Sequence, residues 1–121
     1  MADKKYKFET RAIHKGNEAD SKTGSVSPPI YLTSTYLQDG VGKDRGFDYS
    51  RASNPTRKRL EDNIASLETG TYAIAFSSGM AATTALFQTL NKGDHVIISR
   101  NVYGGTFRMA TQVLSRQGLH F

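Results

Sequence analysis

The sequence predicts an α/β chain: an extended N-terminal arm, then part of a mostly parallel sheet with helices. Three observations predict it. From Ser53 onward, apolar residues alternate between helical spacing and short continuous runs. Helix, strand, helix, strand, helix, strand in that order implies crossover units. Residues 1–53, by contrast, show no sustained helical period and carry Gly24, Pro28, Pro29, Gly40, Gly42 and Gly46.

The expected boundaries are therefore 1–53 for the arm and 54–121 for the start of a larger domain. Within the arm, Ile30 to Tyr36 is rich in β formers, and Pro28-Pro29 fixes an extended entry to it. So long an irregular segment makes sense as an arm that packs on another subunit or on further chain. Asn54 is a good N-cap, and Pro55 stands at the first helical position, where its missing N–H costs nothing. Leu60, Ile64 and Leu67 then mark one helix face, and Gly70 is expected just past its end. Tyr72 to Phe76 reads as a short buried strand and Ser77-Ser78-Gly79 as a tight turn. A helix is expected over Met80–Leu90, with Ala82, Leu86 and Leu90 on one face. His95 to Ser99 is a second strand. A helix near Thr106–Arg116, with Met109 and Val113 four apart, is ended by Gly118, and Leu119-His120-Phe121 begins a third strand. The chain stops inside that strand, so the sequence reads as a fragment of a longer protein.

Composition narrows the chemistry. With no cysteine, disulfide scaffolds, zinc–thiolate and iron–sulfur sites and thiol catalysis are excluded. The uncharged stretch Thr69–Asn91 is 23 residues long, but only 12 of these are apolar, too few for a membrane span. Met1 to Thr10 is charged and is no signal peptide, so the protein is expected in the cytoplasm, without a membrane partner. The net charge of +5 raises nucleic acid as a partner. Its distribution argues otherwise. Residues 1–55 hold nine Lys/Arg and seven Asp/Glu, the rest seven and four, and the basic runs are only Lys4, Lys5, Lys7 and Arg57-Lys58-Arg59.

Few segments can carry chemistry. Gly40-Val41-Gly42-Lys43-Asp44 misses the phosphate-loop pattern and reads as a flexible loop. His14, His95 and His120 have no metal spacing. Ser77-Ser78-Gly79-Met80 lies between a strand and a helix start, where unsatisfied N–H groups suit an anion; taken alone, the motif fits a plain serine-capped turn better. Tyr49 and Arg51, two residues apart, point the same way on extended backbone and could grip a phosphate dianion; they could also be ordinary surface residues. Tyr103, at the carboxyl end of a strand, either faces the usual ligand crevice or packs over its loop.

In order and spacing, Tyr49-Ser50-Arg51-Ala52-Ser53-Asn54-Pro55-Thr56-Arg57, Leu60-Glu61, Ser77-Ser78-Gly79-Met80-Ala81-Ala82, Gly93-Asp94 and Val102-Tyr103-Gly104-Gly105-Thr106 form one set. With Thr10-Arg11-Ala12-Ile13-His14 and Pro28-Pro29-Ile30-Tyr31 in the arm, the whole chain resembles the N-terminal part of a Cys/Met-metabolism pyridoxal-phosphate enzyme, the cystathionine γ-lyase and γ-synthase group.

The resemblance implies fold type I, with an arm, a large cofactor-binding domain and a smaller C-terminal domain, assembled as a homotetramer of tight dimers. It implies pyridoxal 5'-phosphate as cofactor and a small amino-acid substrate. Tyr49 and Arg51 match the pair that holds the neighbouring subunit's cofactor phosphate, and Gly79 and Met80 match the backbone donors within the subunit. Tyr103 matches the tyrosine stacked on the pyridine ring and active in proton transfer, and Arg108 an arginine linked to substrate binding. The Schiff-base lysine, in its Ser-x-Thr-Lys setting, has no match here; after Lys58 the only lysine is Lys92, in a polar turn. The pyridine-nitrogen aspartate and the carboxylate-binding arginine also belong to sequence outside these residues. Gly105 stands where methionine γ-lyases commonly carry cysteine, and Tyr49–Thr56 favours the γ-specific group over bacterial β-lyases. The implied activity is transsulfuration, foremost α,γ-elimination of cystathionine. γ-Replacement by a cystathionine γ-synthase or an O-acetylhomoserine sulfhydrylase is the alternative. For the fragment alone, a non-catalytic phosphate-binding or interaction segment remains.

Overall fold

The computed structural model describes residues 6–121. Lys4, Lys5 and the rest of the arm's first five residues lie outside the described residues. The chain divides into two compact units, one ending at Ala75 and the other running Phe76–Phe121.

The first unit holds two helices, α1 (Phe8–His14) and α2 (Pro55–Leu67). Helix α1 corrects the expectation of an arm without helix. Its anchor is polar, which is why no hydrophobic period announced it: α1 has no buried residue, and Phe8 and Ile13 face solvent. Asn63 on α2 instead donates to the carbonyls of Arg11 (3.2 Å), Ala12 (3.2 Å) and Lys15 (2.7 Å) at its C-terminal end. Arg11 in turn donates to the Ser66 carbonyl. Gly16 follows with φ +76°, and a Cβ there would collide with the Arg59 carbonyl, so only glycine lets the two helices approach this closely.

Helix α2 begins as expected. The Asn54 side chain accepts the Thr56 N–H at 2.8 Å, and Pro55 is the first residue. The expected apolar stripe is not its packed face, however. Leu60 and Ile64 are 54% and 43% exposed, whereas Ala65 is buried; the side toward α1 is the polar one. The helix end also differs from expectation. The left-handed residue is Thr69 (φ +58°), not Gly70. The Gly70 N–H reaches back to the Ala65 carbonyl at 2.8 Å and the Thr69 N–H to that of Ser66 at 3.4 Å, a Schellman closure with threonine in the glycine position.

Ile30–Tyr36 forms one antiparallel bridge, Thr35 opposite Tyr49, flanked by Tyr36 N–H to Asp48 O (3.0 Å) and Ser50 N–H to Ser34 O (2.8 Å). Between them Gly40 pairs with Lys43 across a tight turn, so that segment is a hairpin tip rather than a loose loop. Arg45 clasps Asp39 beside it, which raises the guanidinium's proton affinity further.

The second unit holds α3 (Gly79–Phe87), capped by the Ser78 hydroxyl on the Ala81 N–H at 3.1 Å. It ends before Leu90, and its buried residue is Phe87, while Leu86 is 65% exposed. Met80, Thr84 and Phe87 make the packed face: the Thr84 hydroxyl contacts Met109 Sδ at 3.0 Å. The last helical run is continuous over residues 104–117 but changes geometry, from α4 (Gly104–Arg108) through a π-turn (Met109–Val113) to a 3₁₀ turn (Leu114–Gln117). Its buried positions are Thr106, Ala110 and Leu114, not Val113. Gly118 (φ +90°) ends it, as expected.

Phe87, Leu114 and Leu119 form the core, with Val96, Ile98, Met109 and Phe121 packed around them. The expected sheet is reduced here to one parallel bridge, His95 with His120, made by His120 N–H to Asp94 O (3.0 Å) and Val96 N–H to His120 O (2.8 Å). Tyr72–Phe76 has no regular structure and no strand partner among the described residues, and Tyr72 and Ile74 are exposed rather than buried. A strand exists only through its neighbours, and the described residues supply one parallel neighbour, which His95 takes. No helix among the described residues is long and apolar enough to cross a membrane.

Candidate functional site

The sequence-derived site residues fall into both units. Tyr49 and Arg51 belong to the first. Tyr49 sits at the bridge to Thr35, and its carbonyl accepts the N–H groups of Ala52 and Ser53, both at 3.0 Å, which turns the chain toward α2. Arg51 lies with its guanidinium carbon 4.8 Å from the Tyr49 ring centroid. The two side chains therefore form one joined surface of phenol and cation, and Arg51 has no ion-pair partner among the described residues.

Four more site residues belong to the second unit, and two of them, Met80 and Tyr103, meet over Gly105. Tyr103 is the residue before α4, and its ring folds over Gly105. A Cβ on Gly105 would stand 2.6 Å from Tyr103 Cε1 and 3.0 Å from Met80 Sδ, so the ring and the thioether share the space glycine leaves. Tyr103 is nonetheless 70% exposed, with its hydroxyl unpartnered among the described residues. Arg108 reaches back along α4, with Nη1 3.5 Å from where a Gly104 Cβ would lie, so it stands on the same helix start as Tyr103.

Gly79 and Met80 open α3. Ser78 satisfies the Ala81 N–H through its hydroxyl and the Ala82 N–H (3.1 Å) through its carbonyl. The N–H groups of Gly79 and Met80 have no acceptor among the described residues, and the space where a Gly79 Cβ would stand is open. Two free donors at a nine-residue helix's positive end, with room for close approach, fit a phosphate ester. Pyridoxal phosphate bears such a group, so the donor set fits that cofactor. No cluster of His, Asp or Glu suited to a metal occurs among the described residues.

Sequence reasoning took Asn54 only as a cap and gave Arg57 and Glu61 no part in the site. Asn54 Nδ2 faces the Tyr31 carbonyl (3.2 Å), the Tyr36 hydroxyl (3.1 Å) and Ser50 Oγ (2.9 Å), tying the arm to the helix start. Arg57 donates to the carbonyls of Ser50 (3.1 Å), Arg51 (3.4 Å) and Ala52 (2.6 Å). The available signal was Arg57 and Glu61 four apart on the first turns of a helix that directly follows the Tyr49–Arg51 segment.

The family model for Cys/Met metabolism PLP-dependent enzymes matches residues 9–121. A probable cystathionine γ-synthase of Herpetosiphon aurantiacus is 50% identical over 116 residues, which are 96% of this chain and 36% of that protein. A cystathionine β-lyase of Lactococcus lactis is 49% identical over 93% of this chain and 30% of its own length. The crystal structure of cystathionine γ-lyase from Lactobacillus plantarum, complexed with L-serine, superposes with a TM-score of 0.89 at 46% identity, covering 96% of this chain and 30% of that one. The chain thus spans about a third of the length of the curated relatives it matches. With the match running through both units and every candidate site residue, the chain belongs to the Cys/Met metabolism PLP-dependent enzyme family.

Proposed function

We propose that the complete protein is a pyridoxal-phosphate enzyme of transsulfuration, and specifically a cystathionine γ-lyase that splits cystathionine into cysteine, 2-oxobutanoate and ammonia. The observation that carries the cofactor site is the pair of free N–H groups at Gly79 and Met80, beside open space at Gly79. In this reading they donate to the phosphate, and Tyr49 and Arg51 reach the phosphate of a neighbouring subunit's cofactor. The exposed Tyr49–Arg51 surface supports that outward role. When bound, pyridoxal phosphate supplies an electron sink for carbanion chemistry. With the cofactor held there, the Tyr103 ring would stack on its ring, and the Tyr103 hydroxyl would carry a proton to the substrate's leaving sulfur. Arg108, on the same helix start, takes part in substrate binding through its guanidinium.

The reading includes fold type I organisation, with residues 1–53 as the arm and 54–121 as the first part of the large domain. It also includes a homotetramer of tight dimers in the cytoplasm. γ-Replacement, as by a cystathionine γ-synthase or an O-acetylhomoserine sulfhydrylase, is the second reading, because the probable γ-synthase is about as similar to this chain as the lyases are. The test is product analysis of the complete protein. Supplied with cystathionine, it is expected to release 2-oxobutanoate and cysteine. Pyruvate and homocysteine instead would overturn γ-elimination. Cystathionine formed from an acylated homoserine and cysteine, with no 2-oxobutanoate from cystathionine, would move the assignment to γ-replacement.

A further inference from the structure

The turn bearing Tyr49 and Arg51 belongs to no regular element; its carbonyls converge on one side chain, Arg57. The guanidinium reaches three consecutive carbonyls from two nitrogens held in one plane, whereas a lysine would present a single nitrogen there. Arg57 Nε stands 3.4 Å from Glu61 Oε1, one helical turn on. That same oxygen accepts the backbone N–H of Ala75 at 3.0 Å. Ala75 lies in the irregular segment that leads, four residues later, to Gly79. Both side chains are mostly withdrawn from solvent, 32% and 20% exposed. An ordinary surface pair four apart on a helix would contribute a few tenths of a kcal/mol and touch nothing else. This pair instead supplies the carboxylate acceptor of the Ala75 N–H, and its arginine donates to three carbonyls of the turn that carries Arg51.

We propose that Arg57 and Glu61 are positioning residues for cofactor-phosphate recognition: they hold the Tyr49–Arg51 turn and the Ala75 segment in fixed register to each other. The inference rests on the reading of Arg51 as a phosphate ligand. It goes further by linking, within one unit, the segment that would serve a neighbour's phosphate to the chain that runs toward the subunit's own.

The test compares pyridoxal 5'-phosphate with pyridoxal, the same ring and aldehyde without the phosphate, in spectral titrations of the complete protein freed of cofactor. Arg57→Lys is expected to lower the preference for the phosphorylated form about tenfold, the equivalent of one hydrogen bond to a charged group, with pyridoxal affinity held within about twofold. Glu61→Gln keeps an oxygen for Ala75 but loses the charge facing Arg57, and is expected to lower the preference about threefold. Arg51→Ala is titrated alongside. A fall with Arg51→Ala but none with Arg57→Lys or Glu61→Gln overturns the positioning role and leaves the phosphate reading standing. No fall with Arg51→Ala overturns the phosphate reading and this inference with it. Equal loss of affinity for both compounds means general structural damage and also overturns it. If Arg57→Lys does not fold, the preference measured in Glu61→Gln decides.

Discussion

The guanidinium carbon of Arg51 lies 4.8 Å from the centroid of the Tyr49 ring, so a cation rests on the phenol two residues before it. Such a contact at an exposed site is worth about 0.5–1 kcal/mol. The contact restricts a long side chain, which lowers the rotamer freedom left to lose in any further contact.

That geometry orders three variants of the complete protein. Arg51→Ala removes the charge and should weaken pyridoxal-phosphate retention about tenfold or more, the size of a charge-assisted hydrogen bond. Tyr49→Phe keeps the face that supports Arg51 and loses only the hydroxyl, so its loss should be smaller. Tyr49→Leu loses face and hydroxyl and should fall between them. Equilibrium dialysis of the cofactor checks the order, and wild-type retention in all three would remove the pair from the phosphate site.

Gly105 sets the pose of Tyr103. An added methyl would stand 2.6 Å from Tyr103 Cε1 and 3.0 Å from Met80 Sδ, and the ring is the freer of the two to swing away. Gly105→Ala is therefore expected to slow turnover at least about tenfold through misplacement of the ring. Cofactor affinity should stay within about threefold, because the Gly79 and Met80 N–H groups are untouched. Tyr103→Phe should slow turnover by about 10²–10⁴ if its hydroxyl is the proton carrier. Steady-state kinetics on both variants checks this; wild-type kcat in Gly105→Ala would mean that the ring pose is not used.

What was legible in the sequence was local. Asn54-Pro55, Ser78 and Gly118 announce helix ends because a cap depends on one side chain or one backbone angle and its immediate neighbours. The free N–H groups of Gly79 and Met80 were legible for the same reason, since they follow from a helix start. What failed was non-local. Tyr72–Phe76 has a strand's composition, but pairing depends on distant chain. The Leu60–Ile64 stripe was real, yet α2 meets α1 with Asn63, so periodicity named the wrong packed face. Helix α1 escaped because its anchor is a set of carbonyls, to which hydrophobicity is blind. Arg57 escaped because three of its partners are backbone oxygens.

Asn54 does two separable jobs. Asn54→Asp keeps the oxygen that accepts the Thr56 N–H and places a negative charge at the start of α2, which alone favours the helix by about 0.3–1 kcal/mol. It also deletes the donor that faces the Tyr31 carbonyl, the Tyr36 hydroxyl and Ser50 Oγ. A carboxylate beside a carbonyl oxygen is repelled, so the donor side should win, for a net loss of about 1–2 kcal/mol. The melting temperature should fall by roughly 2–6 °C. An unchanged or higher value would show that Asn54 is only a cap.

Thr69 is the one described non-glycine residue with positive φ, at +58°. A β-branched side chain there crowds the backbone, at a cost of about 1–2 kcal/mol. Its compensation is small: the hydroxyl donates to the Glu68 carbonyl at 2.6 Å, an exposed bond to a group that water would serve as well. Thr69→Gly removes the crowding and leaves intact both backbone bonds of the closure, Gly70 N–H to Ala65 O and Thr69 N–H to Ser66 O. Glycine's extra freedom in the unfolded chain takes back part of the gain, roughly 0.5–1 kcal/mol. The balance favours the variant by up to about 1 kcal/mol, a rise in melting temperature of roughly 2–4 °C. Thr69→Val keeps the branch and loses the hydroxyl, so it should melt below wild type. Should Thr69→Gly melt lower than wild type, the Glu68 contact outweighs the strain, and threonine is the better residue at this helix end.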